Sequence, residues 1–178
     1  MKPITLHNKS FEVFIAETEI AAIVHSMANN INEARIQDPL FISVLNGSFM
    51  FSSDIMKKIT LPNTEISFVK LSSYSGTETT GEVSELIGLG QDIRHRNVII
   101  LEDIIDTGIT LEKIISLLKK ENVADIKVAT LLFKPEAYTK EIPIDFIGKS
   151  IANKFVVGYG LDYDEIGRNL PHIFKLKN

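Results

Sequence analysis

The chain has 178 residues, of which 44% are hydrophobic and 24% charged, which is enough to bury the core of one globular domain. Its formal net charge of −4 gives no general attraction to nucleic acid or to an anionic membrane surface, so we expect neither as a partner. The lack of cysteine excludes disulfides, thiolate metal sites and a cysteine nucleophile. No window approaches the ~20 apolar residues that span a bilayer, and the first residues carry no apolar export segment, so we expect a cytoplasmic protein.

The first half of the chain predicts a helix followed by alternating strands and helices. Apolar residues recur at three- and four-residue spacing over residues 17–35, which predicts an amphipathic helix. The apolar run FISVLN (41–46) predicts a buried strand, and SFMFSSDIMKKI after Gly47 predicts a helix, so the two form half of a βαβ unit. A second strand is predicted over 65–74, whereas the polar, glycine-containing segment 75–83 is expected to be mobile.

The second half continues this alternation. The run VIILED (98–103) is typical of a strand buried on both faces, a helix is expected from Thr110, and DIKVATLLF (125–133) predicts the next strand. Strands that alternate with helices predict an α/β fold with a doubly wound, mostly parallel sheet flanked by helices. The C-terminal part has short strands and no further long helix, so we expect it to fold over the sheet as a small lobe.

The stretch LEDIIDTGIT (101–110) places three carboxylates immediately before a Thr-Gly-Ile-Thr turn that opens a helix. Ligands of open parallel sheets bind beyond the carboxyl ends of the strands, and the first amides of a helix have no intrahelical partner, so this turn can surround a phosphate. The carboxylates can accept hydrogen bonds from sugar hydroxyls or hold a magnesium ion. The pattern therefore predicts a sugar-phosphate site. Taken singly, Glu102 and Asp103 also fit a solvated strand end, and Asp106 fits a helix N-cap.

Five segments resemble one known family. VIILEDIIDTGIT resembles the phosphoribosyl-pyrophosphate (PRPP) binding motif of type I phosphoribosyltransferases. In that family's order, VLNGSFMFSSD (44–54) resembles the pyrophosphate loop of the hypoxanthine-guanine branch, KLSSYSGTETTGEV its closing loop, LLFKP its purine-recognising lysine, and FVVGYGLDYDEIGRNLP (155–171) its base- and metal-binding segment. The matches span roughly residues 40–171.

The resemblance implies the family's fold and reaction. The fold would be a single phosphoribosyltransferase domain over 1–178, with a core roughly at 38–140 and a hood from roughly 1–16 and 141–178. The activity would be purine salvage, in which the 5-phosphoribosyl group of PRPP is transferred to hypoxanthine, and also to guanine, giving IMP or GMP and pyrophosphate. Mg²⁺ is the implied cofactor, and a homodimer or homotetramer the implied assembly.

The same resemblance assigns roles to individual residues. Asp106 is the implied general base for the purine N7 proton, and desolvation beneath a closed loop would make this carboxylate a stronger base. Ser73 and Tyr74 would cover the pyrophosphate as the closing loop shuts. The residues implied for PRPP or nucleotide binding are Glu102, Asp103, Asp106, Thr107, Gly108, Ile109, Thr110, Leu45, Asn46, Gly47 and Arg168. Those implied for the base are Ile104, Lys134, Phe155, Val156 and Asp162. The implied metal ligands are Glu102, Asp103 and, through water, Asp162.

One position departs from the family pattern. Many relatives have Leu-Lys-Gly-Gly in the pyrophosphate loop, where this chain has Leu45, Asn46, Gly47 and Ser48. Asn46 cannot supply a positive charge, so the resemblance implies that pyrophosphate depends more on backbone amides, on Arg168 and on metal. Whether the Leu45–Asn46 peptide bond is cis, as in the family, stays open at this point.

Three alternatives compete with this interpretation. One is a phosphoribosyltransferase for xanthine or another base, the second a PRPP-sensing regulator without turnover, and the third a passive nucleotide-binding domain. A sensor is expected to lack part of the catalytic set and to carry a basic face, whereas this chain has Asp106, Lys134, Arg168 and a net charge of −4. The four histidines lack metal-ligand spacing, so a zinc site is not expected. The sequence therefore favours an enzyme.

Overall fold

The computed structural model describes residues 2–72, 84–87, 90 and 92–177. The helices of this part of the chain are α1 (Glu17–Glu33), α2 (Phe49–Met56) and α3 (Ile109–Lys120). Its strands are β1 (Ile4–Leu6), β2 (Lys9–Ile15), β3 (Leu40–Val44), β4 (Glu65–Ser72), β5 (Ser84–Ile87), β6 (Asn97–Ile105), β7 (Asp125–Phe133), β8 (Phe146–Ser150), β9 (Val156–Val157) and β10 (Ile173–Leu176). None of these helices combines the length and the apolar character needed to cross a bilayer.

The larger sheet has six strands in the order β5-β4-β3-β6-β7-β8. From β4 to β8 all neighbours run parallel, and β5 pairs antiparallel with β4 at one edge. Apolar residues of α1 and α2 join one buried cluster with the sheet, and those of α3 join a second one. The predicted doubly wound, mostly parallel sheet with flanking helices is confirmed.

The position of β6 inside the sheet explains why its sequence is continuously apolar. Ile99 and Leu101 belong to the cluster that contains α1 and α2, whereas Val98 and Ile100 belong to the cluster that contains α3. Successive side chains of a strand point to opposite faces, so both faces of β6 need apolar residues. Each such side chain contributes about 1.5–3 kcal/mol when it is fully buried. The strand thus carries the acidic residues at its carboxyl end on a rigid support.

Both chain ends build a second, four-stranded sheet in the order β1-β2-β10-β9, which we call the terminal lobe. The expectation that the lobe starts at about residue 141 is wrong, because β8 pairs parallel with β7 and so extends the larger sheet. The short apolar run of β8 looks like the lobe strands in sequence. β8 pairs with the open edge of β7, a contact that its own sequence does not reveal.

Three contacts fasten the terminal lobe to the core, and one of them lies on the loop of residues 45–48. The Tyr159 hydroxyl donates to Asp54 Oδ2 of α2 at 2.7 Å. The N–H of Glu17, at the start of α1, donates to His172 Nδ1 at 2.9 Å. Gly160 packs so closely on Gly47 that an added Cβ would collide with the Gly47 carbonyl oxygen. The lobe is therefore held directly over this loop.

The close approach of Gly160 to Gly47 makes a stability prediction. Gly160→Ala is expected to lower the free energy of unfolding by more than about 2 kcal/mol, because the backbone has φ +100° and the new methyl group meets backbone rather than a movable side chain. Gly90→Ala is the matched control, since no described atom lies within 4 Å of its added Cβ. Urea unfolding of both variants measures the effect. Equal stability of the two variants would contradict the packing described.

Candidate functional site

The loop of residues 106–110, which we call the phosphate loop, joins the carboxyl end of β6 to α3. The first helical hydrogen bond runs from the Glu112 N–H to the Gly108 carbonyl oxygen at 3.0 Å, so the amides of residues 108–111 are not used within the helix. These residues line an open depression together with Glu102. Among these amides, the Ile109 N–H donates to Thr107 Oγ1 at 3.5 Å. Amide donors at a helix start favour an anion, so the depression suits a phosphate group.

Gly108 is a glycine for a reason that the sequence did not reveal. Its φ is +82°, and an added Cβ would lie 2.5 Å from the ring of Tyr138, on the side of the protein rather than of a ligand. The Tyr138 hydroxyl donates to the Ile142 carbonyl oxygen at 2.6 Å, and the Thr139 N–H donates to the Thr107 carbonyl oxygen at 3.3 Å. The segment after β7 therefore supports the phosphate loop from behind.

Glu102 and Asp103 are not a solvated strand end. Glu102 is 5% exposed and Asp103 is 9% exposed. As consecutive strand residues they serve different sides: Glu102 lines the phosphate-loop depression, whereas the Asp103 carboxylate lies against Gly47, where an added Cβ would collide with it. The acidic pair thus borders both the phosphate loop and the loop of residues 45–48.

Burial disfavours the charge on both carboxylates. Loss of solvent raises the pKa of Glu102 well above its ordinary value, and the negative charge of Asp103 adds to this. Burial raises the pKa of Asp103 to about 6; backbone N–H donors and Arg168 oppose the shift, and Asp162 adds to it. The charged forms of two buried carboxylates with raised pKa values gain from a nearby cation, so their chemistry suits Mg²⁺.

The part of the chain that the structure describes does not assemble an all-protein metal site. Within the described residues, no three His, Cys, Asp or Glu side chains form a group that could hold a metal ion. Mg²⁺ commonly takes only one or two carboxylates and completes its shell with substrate oxygens and water. The predicted ligands therefore fit a metal that arrives with a phosphorylated substrate.

Asp106 and Lys134 form an ion pair beside the phosphate loop. Lys134 Nζ donates to Asp106 Oδ2 at 2.7 Å. The lysine side chain is only 8% exposed, and the aspartate side chain is 45% exposed. Lys134 is thus not an ordinary solvated lysine, and its ammonium group and the carboxylate present a donor and an acceptor next to each other.

The Arg168 guanidinium contacts three oxygen atoms of the terminal lobe. Its Nη2 lies 2.8 Å from Asp162 Oδ1 and 3.1 Å from Glu165 Oε2, and its Nη1 donates to the Gly160 carbonyl oxygen at 3.0 Å. The other Asp162 oxygen accepts the Glu165 N–H at 2.9 Å. Arg168, predicted for pyrophosphate, and Asp162, predicted for metal, therefore lie together. Glu165 is a further partner that the sequence analysis missed.

The residues predicted for the base have different surroundings. Phe155 is 45% exposed, and its ring lies nearly perpendicular to that of Tyr163, with centroids 5.7 Å apart. Ile104 is partly buried against the cluster that contains α1 and α2. Val156 is 7% exposed, so its side chain packs in the protein. Of these three, only Phe155 offers much exposed surface.

The backbone polar groups of Val156 are nevertheless not paired within the sheet. The Leu176 N–H donates to the Phe155 carbonyl oxygen at 3.0 Å, so the next antiparallel pair, Val156 with Lys175, is of the kind without hydrogen bonds. The Val156 N–H and carbonyl oxygen consequently point away from β10, and β9 has no other partner among the described strands. A planar ring with polar edges can pair there.

The remaining predicted residues are those of the pyrophosphate loop, which the structure describes, and those of the closing loop, which it does not. The Leu45–Asn46 peptide bond is cis, and the Leu45 N–H donates to the Val69 carbonyl oxygen at 2.8 Å. Ser73 and Tyr74, with the rest of the expected closing loop, lie outside the described residues.

The chain is similar to known proteins over nearly its whole length. Residues 15–164 match the family model described as a phosphoribosyl transferase domain. A hypoxanthine-guanine phosphoribosyltransferase of Staphylococcus aureus (strain Mu50) is 41% identical over 174 residues, 97% of each chain. A crystal structure of a hypoxanthine phosphoribosyltransferase from Staphylococcus aureus has a TM-score of 0.86 at 40% identity, covering 93% of this chain and 91% of that one. One of a hypoxanthine-guanine phosphoribosyltransferase from Bacillus anthracis, with HEPES in the active site, has a TM-score of 0.84 at 34% identity, covering 94% and 97%.

The raised pKa of Asp103 predicts how stability depends on pH. Between about pH 4 and about pH 6 the folded protein binds a proton that the unfolded chain releases, because the pKa rises from 3.8 to about 6 on folding. Stability of the metal-free protein therefore falls as pH rises through this window. Asp103→Asn removes the buried charge and is expected to raise the free energy of unfolding at pH 8 by about 1–3 kcal/mol, with the difference vanishing near pH 4.

Urea unfolding at three pH values tests this expectation. Asp125→Asn is the control, because Asp125 is exposed and lies 3.7 Å from Lys127 in a loose ion pair. The control should not gain stability at pH 8. If Asp103→Asn gives no gain in the free energy of unfolding, or a gain that is constant from pH 4 to pH 8, burial of the charged Asp103 carboxylate does not destabilise the folded protein.

Proposed function

The chain belongs to the hypoxanthine-guanine phosphoribosyltransferase family, and on that premise we propose that it transfers the 5-phosphoribosyl group of PRPP to hypoxanthine, and also to guanine, with release of pyrophosphate. The observation that carries this proposal is the Asp106–Lys134 pair at the edge of the phosphate-loop depression. It places a proton acceptor and a buried cation next to each other, beside an anion site. A 6-oxopurine presents the matching pair, a ring N–H and a carbonyl oxygen.

The ribose phosphate is proposed to lie along residues 102–110. The amides of the phosphate loop bind the 5-phosphate, since those of residues 108–110 have no partner within α3, and the Ile109 N–H can exchange its 3.5 Å bond to Thr107 Oγ1 for a phosphate oxygen. Glu102 lines the same depression and accepts hydrogen bonds from the ribose hydroxyls. Opposite ends of one ligand thus meet donors and acceptors, which explains why an anion site is surrounded by carboxylates.

The base is proposed to displace the direct contact between Asp106 and Lys134. Lys134 donates to the purine O6, and Asp106 accepts the proton of N7. The electron pair left on the ring makes N9 the nucleophile, which bonds to C1 of the ribose as the bond from C1 to pyrophosphate breaks. A 6-amino group offers donors instead of an acceptor, so the buried ammonium of Lys134 would be left without a partner against adenine. The open backbone edge of Val156 and the exposed ring of Phe155 complete the base site.

Pyrophosphate is proposed to leave between Leu45–Gly47 and Arg168. Arg168 opposes the rise in the pKa of Asp103, whose carboxylate lies against Gly47, and this supports placing the pyrophosphate between the arginine and the loop. Mg²⁺ held by Glu102, Asp103 and, through water, Asp162 would stabilise the negative charge of the leaving group. Arg168 must give up Asp162 or Glu165 to reach the anion, and Glu165 is the more exposed partner.

The assembly and location belong to the same proposal. We propose a homodimer or homotetramer, since the described part of the chain exposes large apolar side chains such as Phe49 at 43% and Phe68 at 38%. Ser73 and Tyr74 are proposed to cover the pyrophosphate during turnover. A cytoplasmic location accords with a chain that has no cysteine.

A substrate panel tests the proposed function. The protein is incubated with PRPP, Mg²⁺ and, separately, hypoxanthine, guanine, xanthine and adenine, and release of pyrophosphate is followed. Hypoxanthine and guanine are expected to react, and adenine is not, because Lys134 requires an acceptor at position 6. Turnover with adenine alone, or with none of the four bases, would contradict the proposal.

The variant Asp106→Ala separates an enzyme from a PRPP sensor. Loss of the general base is expected to lower kcat by about 10²–10⁴-fold while calorimetric PRPP binding is retained within a few-fold. Glu136→Ala is the control, because this exposed carboxylate lies in the same turn after Lys134. Unchanged turnover in Asp106→Ala would remove Asp106 from its assigned role.

A further inference from the structure

Three buried serine hydroxyls lie directly beneath the loop of residues 45–48. Ser43 and Ser48 are 0% exposed and Ser52 is 1% exposed. Ser43 Oγ lies 2.7 Å from Ser48 Oγ and 2.7 Å from Ser52 Oγ, and Ser48 Oγ also bonds to the Val44 carbonyl oxygen. The three residues belong to β3, to the loop and to α2, so the hydroxyls join three elements through their side chains.

The direction of these hydrogen bonds follows from proton counting. The Val44 carbonyl oxygen can only accept, so Ser48 donates its single proton to it. Ser48 must then accept from Ser43, and Ser43 must accept from Ser52. Each hydroxyl donates once, and Ser43 is the only member that both gives and receives within the serine set. Such a chain is cooperative, because each donor is polarised by the proton that it accepts.

The loop above these serines has little freedom on its other sides. Gly47 has the Asp103 carboxylate against its Cα, and its carbonyl oxygen is covered by Gly160. Ser48 follows immediately and is tied to β3 from below. A shift of the loop would therefore break the serine chain or collide with one of these two neighbours.

We propose that Ser43 and Ser48 are positioning residues that set the backbone of residues 45–47 for the diphosphate of the substrate; this rests on the proposed function. The dependence on backbone is strong in this chain, because Asn46 brings no positive charge to the loop.

The central variant is Ser43→Ala, which interrupts the chain in its middle. It leaves Ser48 without its donor and Ser52 without its acceptor. KM for PRPP and Kd for inorganic pyrophosphate with Mg²⁺ are expected to rise about fivefold or more, the ratio equivalent to one buried hydrogen bond. KM for hypoxanthine and kcat at saturation should change less than about twofold, since the base site is formed by other residues. Ser48→Gly removes the anchor at the loop itself and should raise the same two constants.

Two control variants separate positioning from general loss of stability. Ser52→Ala removes only the donor at the end of the chain and should affect diphosphate binding less than Ser43→Ala. Ile55→Val lies in the same helix at 0% exposure and should lower Tm without changing either diphosphate constant. If Ser43→Ala and Ser48→Gly lower Tm like Ile55→Val but leave both constants unchanged, the proposal is wrong. Calorimetry with pyrophosphate needs no turnover, so this result is distinct from a failure of the substrate panel.

Discussion

The burial of two adjacent carboxylates at the end of β6 is the constraint around which this structure is arranged. Glu102 and Asp103 are nearly inaccessible to water, and burial raises the pKa of each. An uncompensated buried charge is costly, so a sequence selected for stability alone would place apolar residues there. The surrounding elements meet at this point: Gly47 contacts Asp103, Gly160 covers Gly47, and the phosphate loop begins three residues later. The arrangement is consistent with carboxylates kept for a cationic and polyhydroxylated ligand.

Within a short stretch of chain, the site provides donors for a phosphate and acceptors for hydroxyl groups at separate positions. Free amides at the start of α3 provide positive potential for a phosphate, and the carboxylates beside them provide acceptors. Lys134 is buried and neutralised by Asp106, which lines the same depression, so the cation is stable before any base binds. A base that offers an acceptor to Lys134 and a donor to Asp106 can replace the contact between these two residues. Arg168 is likewise held by Asp162 and Glu165.

Local sequence patterns predicted the three helices and the strands β3, β4, β6 and β7, but they did not predict β1, β2 or β5, nor the contacts between elements. The strand predicted over 125–133 has those bounds in the structure, because its apolar run is flanked by clear turn residues, whereas the strand predicted over 98–103 continues to Ile105. The assignment of β8 failed because an edge strand of the larger sheet and a strand of the lobe have the same short apolar pattern. Neither the stack of Asp103, Gly47 and Gly160 nor the contact of Gly108 with Tyr138 follows from spacing, since each joins residues far apart in sequence. The serine chain left a weak trace, because Ser48 and Ser52 are four residues apart on one side of a helix start.

The most direct test of this account is a crystal structure of the protein with IMP. The account predicts that the 5′-phosphate lies against the amides of residues 107–110, that the ribose hydroxyls face the acidic end of β6, and that the purine O6 lies within hydrogen-bond distance of Lys134. A nucleotide bound elsewhere, with residues 102–110 facing only solvent, would contradict it.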